Sequence, residues 1–298
     1  MKTRDAVALV RTGQWVACKQ YLAGLSAEGA YESIKFLFEA CPLDLDLSGV
    51  ADGAQDVLGL TLLGALHFGV GKRHRGMGMA SGVGDAQANR YFIHLLEAKD
   101  VLDAALSADR HNGLAAAFNM AVAIDAWEGD QKALAEARLL DAENVPLSGY
   151  VNLLQANLEK WGGSHDVMFR IARSRMRPET PMQYMLIARA HWERQLFYVA
   201  FDETPGARTL GARYFEGEPL QDLKEASRMI LGHRDADPAE QRLANSWLAL
   251  AMAAAGRNKL AVPHLDRIKG HDEPSAWGLF NGPAWMTKAK IRWKAMMG

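Results

Sequence analysis

Ala, Leu, Met, Glu and Arg recur at spacings of three and four along most of the chain, the period of one face of an α-helix. Strand signals are scarce, with no sustained alternation of Val, Ile and Thr. The pattern predicts an all-α protein with helices over 3–12, 14–24, 28–40, 54–70, 86–107, 112–128, 131–142, 147–161, 164–176, 181–200, 220–231, 238–255, 258–268 and 284–296. Irregular segments are expected at 41–53, 71–85, 201–219 and 270–283.

Short glycine-centred turns punctuate the pattern: RTGQW at 11–15, WEGDQ at 127–131, WGGSH at 161–165 and AAGRN at 254–258. Each reads as the turn of a helical hairpin. Asp85, Ser164 and Asp237, the last followed by Pro238, read as helix caps. Hairpins in series suggest an α-solenoid, in which no pair buries its apolar face until neighbours stack on it. The repeat is degenerate and closest to a tetratricopeptide (TPR-like) hairpin around Gly256, where Trp247, Leu248 and Leu250 line a first helix and Ala261 sits at the crossing. The expected organisation is one helical-repeat domain over 1–298, with residues 1–53 open to reading as an N-terminal helical subdomain.

Composition narrows the class. Of 298 residues 49% are apolar, enough for a sizeable core. Lys plus Arg total 34 against 35 for Asp plus Glu, a formal net charge of −1, so no global field draws the chain to a polyanion. Neither nucleic acid nor a membrane is expected as a partner. LGLTLLGALHFGVG, the longest apolar stretch, is shorter than the roughly 18 residues a spanning helix needs. Two cysteines, Cys18 and Cys41, are too few for a disulfide framework. The N-terminal MKTRDAVALVRTGQW breaks its apolar residues with charges, unlike a signal peptide, and the expected location is cytoplasmic.

Candidate chemistry begins at GKRHRGMGMASGVGD, residues 71–85. A phosphate loop fails here, because Gly71-Lys72 is followed by Arg73 and position 66 is Leu. The dinucleotide pattern fails at Ser81 and lacks a preceding strand. The stretch reads as a chain reversal, with Arg75 a candidate donor to a buried carboxylate such as Glu97 or Glu193. No histidine follows a glutamate by three positions, and His94 with Glu97 supplies only two ligands, so no metal or cofactor is expected. ARAHWERQLFYVAF, 188–201, sets His191, Glu193 and Arg194 in an apolar aromatic helix, where His191 and Glu193 point in different directions and suit a buried hydrogen-bonded network. Cys18 reads as a packed thiol. The aromatic and cationic 277–293 reads as a terminal capping helix with aromatics inward and cations outward.

RGMGMASGV (75–83), HLLEAKDVLDAALSAD (94–109), EKWGGSHDVM (159–168) and RAHWERQLFY (189–198), in that order, resemble an uncharacterised bacterial family of tetratricopeptide-like helical proteins. The resemblance covers roughly 70–200 and marks Arg75, Gly76, Gly78, Trp161, Gly162, Gly163, His191 and Glu193 as pattern positions. It implies a helical repeat and supplies no activity. The leading expectation is a non-enzymatic scaffold or adaptor that binds a protein or peptide in a groove, its oligomeric state open. The alternative is an enzyme or small-ligand binder whose polar site joins the 71–85 loop to the 188–201 helix through Arg75, Glu97, Trp161, His191 and Glu193.

Overall fold

The computed structural model describes residues 3–40, 45–76, 82–125, 129–174, 176–268 and 284–297. Cys41, Gly78, Trp277 and Phe280 lie outside them. The described chain is all-helical, its one extended pairing a single bridge between Asn112 and Glu143. It divides into two compact units, Met1–Ala156 and Asn157–Gly298.

The first unit contains α1 (Thr3–Arg11), α2 (Trp15–Ala23), α3 (Ala27–Ala40), α4 (Ser48–Gly53), α5 (Val57–Arg75), α6 (Asp85–Ala108), α7 (Gly113–Asp125), α8 (Gly129–Asp141) and α9 (Leu147–Ala156). Residues 3–53 pack into it through contacts of α3 with α5, α7 and α9. The apolar stretch in α5 is buried on several sides by protein, and its glycines mark where neighbours come closest. A Cβ on Gly64 would stand 2.7 Å from Leu102 on α6, and one on Gly69 would stand 2.4 Å from the Phe38 ring on α3. Each glycine costs about 1 kcal/mol of helix propensity, offset here by close packing on both flanks. Asp56 starts α5 by accepting from the Gly59 N–H at 2.7 Å, and Lys19 holds its other oxygen at 2.8 Å.

Several boundaries differ from the sequence reading. The segment GKRHR, expected as loop, is the last part of α5, where Lys72, Arg73, His74 and Arg75 occupy the last turn and positive charge suits the negative end of the helix dipole. Gly71 is buried there against α6, and Gly76, at φ 75°, closes the helix by donating to Lys72 O at 3.0 Å. Gly84 rather than Asp85 is the N-cap of α6, its N–H donating to Gln87 Oε1 at 3.1 Å. The expected irregular segments 41–53 and 201–219 contain α4 and the short α12 (Ala207–Arg213), both shorter than the roughly 11 residues over which an apolar helical period can be recognised.

The second unit contains a 3₁₀ turn (Glu159–Trp161), α10 (His165–Arg173), a second 3₁₀ turn (Pro181–Tyr184), α11 (Met185–Ala200), α12, α13 (Glu218–Gly232), α14 (Pro238–Ala254), α15 (Asn258–Arg267) and α16 (Ala284–Met297). Helix α11 is its centre: Met185 through Glu193 are all buried, and α10, α12, α13 and α14 pack on it. Trp247, Leu248 and Leu250 of α14 and Ala261 of α15 are buried in a closely packed helix pair. The expected helix 147–161 stops at Ala156. Beyond it Gly162 takes φ 81°, and Gly163 passes so near the preceding chain that a Cβ would lie 2.1 Å from Asn157 O. Ser164 then caps α10 by accepting from the Val167 N–H at 3.3 Å.

Replacement of Gly163 by Ala therefore forces the backbone apart, whereas Gly162→Ala strains one dihedral pair. Urea unfolding is expected to show a loss of more than about 2 kcal/mol for Gly163→Ala and about 1–2 kcal/mol for Gly162→Ala.

Candidate functional site

Helix α11 buries three ionisable side chains, and each is matched by groups from other elements. Arg189 and Glu193, 5% and 4% exposed, stand one turn apart and form an ion pair. Lys160 Nζ reaches Glu193 Oε2 at 3.0 Å from the first 3₁₀ turn, where Trp161 also sits half-buried. The Arg189 guanidinium lies 4.1 Å from the Trp247 ring centroid, so an aromatic face replaces part of its lost hydration. Burial pulls the Arg189 pKa down, opposed by the Glu193 charge.

His191 points away from that pair. Its Nε2 lies 3.0 Å from Asp222 Oδ2 on α13, and its Nδ1 lies 2.8 Å from the Tyr214 hydroxyl. An ionised carboxylate only accepts, so in the neutral imidazole Nε2 carries the hydrogen and Nδ1 accepts from Tyr214. Burial lowers the His191 pKa against the opposing effect of Asp222, and burial raises that of Tyr214. Arg173 donates to Asp222 Oδ2 at 3.2 Å and lies over the Phe169 ring at 5.3 Å. The result is a continuous line that runs from half-buried Tyr214 through buried His191 to Asp222 and the exposed Arg173.

At its outer end Asp222 and Arg173 border a cleft of about 220 Å³. Ala172, Ile187 and Ala226 supply its apolar lining. Ser174, Gln183 and Glu225 supply polar groups, and exposed Glu225 has no ion-pair partner among the described residues. The sequence reading missed Tyr214, Asp222, Arg173 and Glu225. Asp222 and Glu225 do share a helix face at i, i+3, but the pairing of Asp222 with residues 31 and 49 positions away has no local signature.

Arg75 and Glu97 belong to the first unit, whereas Trp161, His191 and Glu193 belong to the second. Arg75 donates to Gly76 O at 3.3 Å, and its charge partly offsets the raised pKa of the buried Tyr91. Glu97 is exposed; the buried carboxylate near this end of α5 is Asp125, which Lys72 meets at 2.8 Å. At the seam of α5 and α6, His67 Nδ1 lies 3.1 Å from His94 Nδ1, and His74 stacks on His94 at 5.7 Å. Only one of His67 and His94 can donate in that contact. Burial first, and a neighbouring imidazole second, lower the pKa of each, with Glu97 acting the other way. Among the described residues no group of three or more His, Cys, Asp or Glu is placed to hold a metal ion, and no helix is long and apolar enough to cross a membrane.

A further buried histidine closes the α13–α14–α15 contact. His264 is fully buried, with Nδ1 2.8 Å from Asn245 Oδ1 and Nε2 2.8 Å from Ser227 Oγ. Asn245 Nδ2 donates to Gln241 O at 2.7 Å, which leaves Asn245 Oδ1 to accept and puts the imidazole hydrogen on Nδ1. Burial, with Arg267 adding to it, lowers the pKa from 6.5 to about 3.

Comparison with protein-family models, with curated proteins and with solved structures finds no match.

Two outcomes follow from these networks. The unfolded chain protonates His264 before the folded one does, so its stabilising effect is complete above pH 6.5 and is lost as pH falls toward about 3. Between pH 6.5 and 5, His264→Gln is expected to lose about 2 kcal/mol less stability than the wild type in denaturant titrations. His191→Ala leaves Tyr214 and Asp222 without their shared partner and opens a cavity. It is expected to lower the unfolding free energy by about 2–4 kcal/mol in the same assay.

Proposed function

We propose that this protein is a binding module, an α-solenoid of degenerate tetratricopeptide-like hairpins that holds a segment of another protein. Packing in the first unit follows such an alternation, α1 with α3, α3 with α5, α5 with α7 and α7 with α9, while most chain neighbours also pair and α3 additionally reaches α7 and α9. That alternation is how stacked hairpins bury a shared core.

The observation that carries the reading is the cleft beside Asp222. Its polar groups surround an apolar lining, and its volume of about 220 Å³ lies below the roughly 300–1,000 Å³ of small-molecule sites. A side chain presented by a larger partner suits it better than a free ligand. Asp222 already serves Arg173 and His191, whereas Glu225, with no ion-pair partner among the described residues, adds a negative charge at the rim. The occupant this favours is an extended segment with a lysine or arginine whose aliphatic stem lies along Ile187 and Ala226. The His191–Asp222 hydrogen bond, with Tyr214 behind it, holds the cleft wall in place, since it anchors α13 to α11.

Fluorescence-polarisation titrations of the full chain against a peptide library are expected to select peptides with a central Lys or Arg over those with Glu. Glu225→Lys is expected to weaken the selected peptides by tenfold or more, about 1.4 kcal/mol, without changing the thermal midpoint. Binding indifferent to peptide charge, or unchanged in Glu225→Lys, overturns the assignment.

A further inference from the structure

Helix α16 departs in one respect from the capping helix expected from the sequence: Lys290 faces solvent as expected but Trp293 does too, while the side chains of Trp277, Phe280 and Trp285 lie outside the described residues. Its sequence, AWMTKAKIRWKAMM, holds Lys288, Lys290, Arg292 and Lys294 and no carboxylate. The helix packs on α15, with Ile291 buried and Arg292 bonded to Asp266 at 2.9 Å. Trp293 does not pack inward: Met286, Trp293, Met296 and Met297 are each more than half exposed. With Ala289, also exposed, they follow the i, i+3, i+7 spacing of one helical stripe, on the side away from Ile291. Lys290 and Lys294 border the stripe on one edge and Lys288 lies toward the other, where Arg292 is taken up by Asp266.

We propose that this outward stripe of α16 binds an anionic lipid surface. An apolar stripe edged on both sides by cations is the arrangement that seats a helix in the plane of a bilayer, its side chains entering the headgroup region while lysines reach lipid phosphates and carboxylates. Tryptophan suits that depth, with an apolar ring and a polar N–H. The packing of α16 favours a flat partner over an enclosing one. A groove that wraps a basic helix needs most of its circumference, but Ile291 and Arg292 commit one side to α15 and Asp266. A planar surface needs only the side that is exposed. The local charge also decides the sign of the lipid, because the whole-chain net charge of −1 gives no attraction while this helix carries four cations.

The test is co-sedimentation of the full-length protein with phosphatidylcholine vesicles containing about one-third phosphatidylserine, against pure phosphatidylcholine vesicles. Binding to the anionic vesicles is expected to be at least about tenfold tighter and to fall steeply between low and physiological salt. Lys290→Glu combined with Lys294→Glu is expected to reduce it by tenfold or more, and Trp293→Ser to reduce it with the charge intact. These residues are exposed, so circular dichroism of each variant should match the wild type, and a helical variant that still binds fully overturns the proposal. Equal binding to both vesicle types also overturns it. So does absence of vesicle binding accompanied by a dimer in sedimentation velocity that Trp293→Ser abolishes, which assigns the stripe to a second copy of the chain.

Discussion

Burying charge on α11 is the constraint around which the second unit is arranged. An arginine, a histidine and a glutamate within five residues of one buried helix would be prohibitive without partners, because each loses its hydration. The partners come from separate elements: Lys160 from a 3₁₀ turn, Tyr214 beside α12, Asp222 from α13 and Trp247 from α14. Each buried group thereby specifies where a neighbouring element must stand. Hydrophobic burial alone allows neighbouring helices to slide by a turn, whereas a 2.8 or 3.0 Å hydrogen bond to His191 does not.

The first unit solves its packing by a different route. Its central contact, α5 with α6, is set by the absence of side chains at Gly64 and Gly71, with Gly69 doing the same toward α3. Polar groups gather at the ends and seams of this contact: Lys72 with Asp125, and the three imidazoles of His67, His74 and His94. The basic stretch that begins at Gly71 belongs to this arrangement through residue 76, as a helix end whose Lys72 is held by a buried carboxylate.

The two proposed contact regions of the second unit differ in sign and shape. The Asp222 cleft is concave, small and negatively rimmed; the α16 stripe is convex, extended and cationic. A net charge near zero conceals both, since summation over the chain erases the local fields that act within a Debye length of about 8–10 Å. A partner segment and an anionic surface therefore need not compete.

Periodicity by itself determined the all-helical class and most helix positions, because the 3.6-residue apolar repeat is a local property of the chain. The caps at Ser164 and Asp237 and the turns at Gly162 and Gly256 were legible for the same reason: a left-handed dihedral or a capping oxygen is required within a few residues of where it acts. His191 and Glu193 stood out as polar residues in an apolar helix, and periodicity showed that they diverge. Their partners were not legible, since Asp222 is 31 residues from His191 and Lys160 is 33 from Glu193, and no local pattern encodes such pairings. Tertiary structure also decided which side of α16 meets the body. The helix has two faces that can pack, and only the placement of Ile291 on α15 and of Arg292 on Asp266 turns Trp293 to solvent.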